Sequence, residues 1–172
     1  MSVFTVKKTL ALGSILTALL LVACQQNPHQ VAASVTDKTL NAISSTQQAE
    51  QNKKIVVDFY EGVFLKHQVK AYSDLYIGDQ YIQHNPHVPD GKAPFVNYFT
   101  QHFQEHPEAK SVIKRAVAED NLVFLHVHST QNDQDRGVAI VDIFRVENGK
   151  IVEHWDVQQD VPAQSANTNT MF

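Results

Sequence analysis

An aspartate interrupts an apolar row at position 142. The row is Gly137–Gln158, GVAIVDIFRVENGKIVEHWDVQ. A carboxylate in such surroundings costs free energy unless it is paired, neutralised or used. The use open to a carboxylate near imidazoles is acid/base chemistry. His126 and His128, in LVFLHVHS, are the nearest candidates to polarise a carbonyl or relay a proton. Abstracting a proton next to a carbonyl needs no cofactor, provided hydrogen-bond donors stabilise the enolate. Three other readings stand beside this one. His126 and His128 share one strand face, and His84, Asp142 or Glu153 could complete a metal's coordination sphere. The same groups could instead line a cavity that only holds an apolar ligand. Asp142 could also simply accept a hydrogen bond from a histidine or the Trp155 indole and hold the core together.

The elements that would position these groups follow from hydrophobic period. A helix is expected from about Gln48 to Leu65, because Ile55, Val56, Phe59, Tyr60, Val63 and Phe64 make one stripe. A short helix, Val69 to Tyr76, follows, and Gly78 punctuates it. Asp79–Pro89, DQYIQHNPHVP, reads as irregular because Pro86 and Pro89 forbid a long regular element. Asp90 suits an N-cap for a helix running to about His106, with Phe95, Val96, Phe99 and Phe103 inward.

From Ser111 the period switches to two. Strands are expected at Val112–Glu119 and Leu122–Ser129, followed by a hairpin turning at Asn148-Gly149, where a type I′ turn needs positive φ twice. Counting back from that turn pairs Val146 with Ile151, Phe144 with Glu153 and Asp142 with Trp155. Alternation then puts Asp142 and Phe144 on one face with Glu153 and Trp155, and turns His154 to the other. In the preceding strand, Phe124, His126 and His128 are expected to join the Asp142 face. Helices followed by about four main antiparallel strands make an α+β fold, with the helices on one side of a curved sheet. Phe124, Phe144 and Trp155 would wall a small-molecule pocket there, and the uncovered apolar face suggests a homodimer.

The start of the chain is an address. Lys7 and Lys8 precede an apolar stretch, Leu10–Val22, too short for a comfortable membrane span. Residues 1–23 read as a signal peptide, 24–47 as a flexible tether, 48–161 as one domain and 162–172 as a loose tail. Two of the 14 basic residues lie in the address, whereas all 18 acidic residues lie after it, which argues against a nucleic-acid partner. The single cysteine, Cys24, permits no internal disulfide. The chain has no phosphate-cradling glycine motif and no Gly-x-Ser-x-Gly elbow.

Two stretches resemble known patterns. Leu21-Val22-Ala23-Cys24 matches the lipobox of bacterial lipoproteins, which implies cleavage before Cys24, acylation of that residue and a lipid-anchored place in the bacterial envelope, facing the periplasm or exterior. The segments Tyr81–Pro86, Asp90-Gly91 and Asp142–Asp156 resemble the SnoaL-like branch of the nuclear transport factor 2-like superfamily, over roughly Lys53–Gln159. That resemblance implies a cone-shaped, cystatin-like barrel, commonly dimeric, and polyketide cyclase-like acid/base chemistry without cofactor or metal. It assigns Asp142 as the acid/base group and His128 as its partner. His84 and Asn85 would sit at the cavity mouth, and Tyr81, Phe124, His126, Phe144 and Trp155 would contact a small apolar or carbonyl-containing ligand.

Overall fold

The computed structural model describes residues 28–172. The expected signal peptide and Cys24 lie outside them. Everything that positions the site belongs to the compact unit Asp37–Phe172. The order is α1 (Pro28–Phe64), α2 (Val69–Tyr76), β1 (Ile77–Gln83), α3 (Lys92–Glu105), β2 (Lys110–Glu119), β3 (Leu122–Thr130), β4 (Val138–Glu147) and β5 (Lys150–Asp160). The α+β class is as expected. The sheet, however, is open and mixed, five strands in the order β1-β5-β4-β3-β2, with β1 parallel to β5 and the other pairs antiparallel.

The extra strand is β1, in the stretch expected to be irregular. Its sequence, IGDQYIQ, has no period-two signal because it is a sheet edge with both Asp79 and Gln80 exposed. The prolines fall after it and end it. α1 also differs, beginning at Pro28 rather than Gln48, so the helix runs through most of the stretch expected as a flexible tether. Proline suits the first turn of a helix, whose N–H groups lack intrahelical partners. Asp90 does not cap α3. Its carboxylate accepts the Gln83 N–H at 2.8 Å, and Gly91 with φ of 97° occupies the N-cap position. Gly91 N–H in turn donates to the Tyr81 carbonyl at 2.8 Å, folding the loop back on β1.

The core lies between the helices and one sheet face. Val56, Phe59, Tyr60 and Val63 of α1 and Phe95 and Phe103 of α3 pack on Val123, Leu125, Val127, Phe144, Val146 and Ile151. Each fully buried aliphatic or aromatic side chain here is worth roughly 1.5–3 kcal/mol of apolar transfer. In β3 the purely aliphatic row takes the core, and Phe124, His126 and His128 take the outer face, the reverse of the expected assignment. An all-hydrocarbon row is cheaper to bury than one with two imidazoles. On that outer face Phe172 stacks on His128 and His126, at 4.2 and 5.5 Å between ring centres, while Val117, Val141 and Val157 stay exposed.

Candidate functional site

The register of β4 against β5 decides which side chains meet. Pairing runs from Glu147–Lys150 and Val146–Ile151 to Arg145–Glu153, so Val152 is an extra residue, a β-bulge. Every pair beyond it is displaced by one from the regular count. Phe144 lies opposite His154, Asp142 opposite Asp156, and Ile143 opposite Trp155. His154 and Asp156 thus join Asp142 on the core face, while Glu153 and Trp155 turn away.

Asp142 is 5% exposed and each of its oxygens has a hydrogen-bond partner. Tyr60 of α1 donates its hydroxyl proton to Oδ2 at 2.9 Å, and His154 Nε2 lies 3.0 Å from Oδ1. The other ring nitrogen, Nδ1, meets the Gln83 side-chain carbonyl at 2.9 Å, and the Gln83 amide nitrogen donates to the Tyr81 hydroxyl at 3.2 Å. A carbonyl only accepts, so Nδ1 carries a hydrogen. One further proton must then lie between Nε2 and Oδ1. It resides on the imidazole in an ion pair or on the carboxyl in a neutral pair. Asp156 is half-buried, and both of its oxygens accept from the Asn85 side-chain nitrogen, at 2.9 and 2.8 Å. Asn85 Oδ1 accepts the His87 backbone N–H at 2.9 Å, an Asx turn that fixes which end of the amide faces Asp156.

These groups form the polar floor of a cavity of about 420 Å³, within the usual range for small-molecule sites. Phe59, Phe64, Phe95, Tyr98, Phe99, Phe103 and Phe144 line its walls, and His87, Pro89, His102, Lys110 and Gln131 are among the other lining residues. Burial, reinforced by the Asp142 charge, holds the Tyr60 phenol well above the usual tyrosine range, and the Tyr81 phenol is raised for the same reasons, with Asp156 adding to them. Both stay protonated in the fold. Burial, then the neighbouring His106, lowers His102.

A pH consequence follows from the two phenols. Above about pH 10 the unfolded chain loses these protons while the fold retains them, so the unfolded state binds fewer and stability falls as pH rises. Each phenol contributes a slope of about 1.4 kcal/mol per pH unit there. In Tyr60→Phe the alkaline decline measured by urea unfolding should be shallower by one such share. An unchanged slope would show that the Tyr60 phenol titrates alike in both states.

Of the residues expected at the site, Asp142, Tyr81, Asn85 and Phe144 line the cavity, while His84, His126, His128, Phe124 and Trp155 do not. The expected Asp142–His128 pair is not formed. Asp142 faces Leu125, and His128 Nε2 meets the Arg136 carbonyl at 2.8 Å on the outer face. His126 Nδ1 accepts from Arg115 at 2.9 Å. His84 stacks on Trp155, 4.5 Å between ring centres and 4° between planes, and bonds Glu153 at 2.7 Å. His84, and then Arg145, hold Glu153 below the usual carboxylate range. The metal-ligand set drawn from His126, His128 and His84 is therefore not assembled. The donors that do converge are Asp142, His154 and Asp156, all within 4.8 Å of one another, and each of them already takes part in the hydrogen bonds above. His154, Asp156, Gln83 and the Tyr60 hydroxyl were not anticipated. The available signal was the i, i+2 spacing of His154 and Asp156, which shares one strand face whatever the register.

Residues 56–154 match the family model of the SnoaL-like domain. The chain belongs to the SnoaL-like family. No curated protein sequence matches it. Among solved structures, this SnoaL-like chain is similar to a candidate ketosteroid isomerase from Kribbella flavida, at 14% identity and TM-score 0.57, covering 70% of this chain and 86% of that one. A candidate polyketide cyclase from Acidithiobacillus ferrooxidans aligns at 17% identity and TM-score 0.53, over 63% and 87%. A nuclear transport factor 2-like protein of unknown function from Mesorhizobium loti aligns at 21% and 0.54, over 65% and 93%. At these identities the likeness is one of fold.

Proposed function

We propose that the cavity binds a small, mostly apolar carbonyl compound and catalyses cofactor-independent acid/base chemistry on it, an aldol condensation, cyclisation or isomerisation. The observation that carries this reading is the 3.0 Å contact between Asp142 Oδ1 and His154 Nε2 at the floor of an aromatic cavity. Such a pair can give a proton to a ligand and take it back, its own charge falling by one while the proton is away. Asp142 keeps the acid/base role expected for it, with His154 in place of His128. The names of the similar structures, a ketosteroid isomerase and a polyketide cyclase, agree with the class.

The test is deuterium exchange from solvent into the carbon next to the carbonyl of β-tetralone. The wild-type protein should accelerate exchange by about 10²-fold or more over buffer, and Asp142→Asn should lose that gain. The alternative is a module that holds an apolar ligand without turnover, favoured by the hydrogen bonds that already tie each Asp142 oxygen to a protein group. It predicts β-tetralone binding with no exchange in either protein. The reading also places the protein on a bacterial membrane through acylated Cys24, supported by the Leu21–Cys24 motif. Cys24→Ser should then move the protein from the membrane fraction to the soluble one, and retention at the membrane would remove the anchor.

A further inference from the structure

Residues 162–172, expected as a loose tail, return to the outer face of the sheet. Pro162–Thr170 are exposed, whereas Met171 and Phe172 are half-buried. Met171 shares a groove with Val141 of β4 and Val157 of β5. The Phe172 ring lies 4.2 Å from that of His128 and 5.5 Å from that of His126, centre to centre, with Lys114 Nζ 5.5 Å from its centre. A ring over imidazoles and beside an ammonium gains stacking and cation–π attraction. Both ends of this strap fasten one loop, Gln131–Gly137, between β3 and β4. At the near end the Val161 N–H donates to the Gly137 carbonyl at 2.9 Å, and Arg136 Nε to the Val161 carbonyl at 3.2 Å. At the far end His128, beneath Phe172, donates from Nε2 to the Arg136 carbonyl at 2.8 Å. The loop itself is polar and almost wholly exposed, so it has no apolar anchor of its own. Its other side borders the cavity. Gln131 lines the cavity, and Asp133 pairs with Lys110, another lining residue, at 2.7 Å. Asp135 joins the two sides, one carboxylate oxygen accepting the Gln131 N–H and the other the Gly137 N–H, both at 2.9 Å.

We propose that Phe172 is a latch for the cavity: seated on His128, it holds the Gln131–Gly137 loop along the cavity wall, and its release lets a ligand enter and leave faster. The proposal rests on the reading above that the cavity takes a small molecule, and adds a gate to it. Phe172 and His128 are positioning residues, since neither lines the cavity. The path is short. The ring fixes the His128 imidazole, the imidazole holds the Arg136 carbonyl, and Asp135 carries that constraint to Gln131. Unseating the ring frees the imidazole to turn about its side-chain bonds, and the loop loses a tether to the sheet. Segments with few buried apolar contacts open at the lowest free-energy cost, so this loop is the part of the wall that yields first. Opening leaves the closed cavity itself unaltered, so entry and exit quicken together and affinity is nearly kept.

Two measurements on the full chain test the latch, and the first needs no ligand. In Phe172→Ala, hydrogen exchange at the Asp135, Gly137 and Val161 amides should quicken about 10-fold, the loss of one ring's stacking and cation–π contacts. The amides of the core residues Val123, Leu125 and Val127 should exchange as in the wild type. Phe172→Tyr keeps the ring and should restore wild-type exchange in the loop. The second measurement is the binding kinetics of β-tetralone by stopped flow. In Phe172→Ala its association and dissociation rates should both rise about 10-fold, with the dissociation constant changed less than about twofold. A merely structural role would weaken affinity instead of moving the two rates together. Unchanged loop exchange in Phe172→Ala would overturn the proposal, as would a loosened loop with unchanged β-tetralone rates. A wild type that does not bind β-tetralone would overturn the gate together with the function proposed above. Faster entry and exit of β-tetralone without deuterium exchange into it would keep the gate and remove the reaction.

Discussion

Replacing His154 with leucine should cost about 3–5 kcal/mol of stability, read as a lowered urea midpoint with an unchanged slope. The size follows from what is left behind. Asp142 is 5% exposed and would lose the group that shares its proton, while Asp156 stays opposite it on the next strand. A buried carboxylate stripped of its partner is far more costly than a pair removed whole. The double variant Asp142→Leu/His154→Leu should therefore be more stable than His154→Leu alone. Its remaining deficit should be about 1–3 kcal/mol, from the Tyr60 hydroxyl left without an acceptor. The histidine ring also packs on Phe144, at 4.7 Å between centres, and leucine fills much of that volume, so the contrast between single and double variants reports charge rather than packing. A loss below about 1 kcal/mol in the single variant would mean that Asp142 finds another partner or water, and the pair would lose its central place in the site.

What could be read in advance was whatever depends on local period. The α1 stripe, α2 at Val69–Tyr76 and the aromatic face of α3 are set by spacing along one helix. The turn is set by two residues that accept positive φ, and Asn148 and Gly149 have φ of 51° and 74°. The isolated carboxylate of Asp142 was legible because burying it demands an explanation. What could not be read depends on partners far along the chain. β1 becomes a strand because β5 offers it an edge, and its own polar sequence gives no sign of this. The inner face of β3 is chosen by which row the helices can cover cheaply, since both rows are largely apolar. The sequence puts His154 on the face away from Asp142 because a ladder counted from the turn assumes one residue opposite one, and Val152 breaks that count.

The bulge makes a prediction of its own, through the rule that a one-residue slip exchanges the faces of a strand. Inserting an alanine between Arg145 and Val146 would give Val152 a partner and make the ladder regular. With Phe144 and His154 still inward, alternation would force Val146 and Ile151 outward. These residues are 3% and 0% exposed, and expelling both should cost about 3–6 kcal/mol. Deleting Val152 also makes the ladder regular, but leaves Val146, Phe144 and Asp142 inward opposite Ile151, His154 and Asp156. Its cost should be about 1–2 kcal/mol, mainly the loss of the half-buried Val152 side chain. Urea unfolding followed by the fluorescence of the single tryptophan, Trp155, compares the two. An insertion tolerated as well as the deletion would mean that β4 and β5 can slide to another register. The meeting of Asp142, His154 and Asp156 would then be a property of this one pairing rather than of the sequence, because a one-residue slip of β5 would turn His154 and Asp156 away from Asp142.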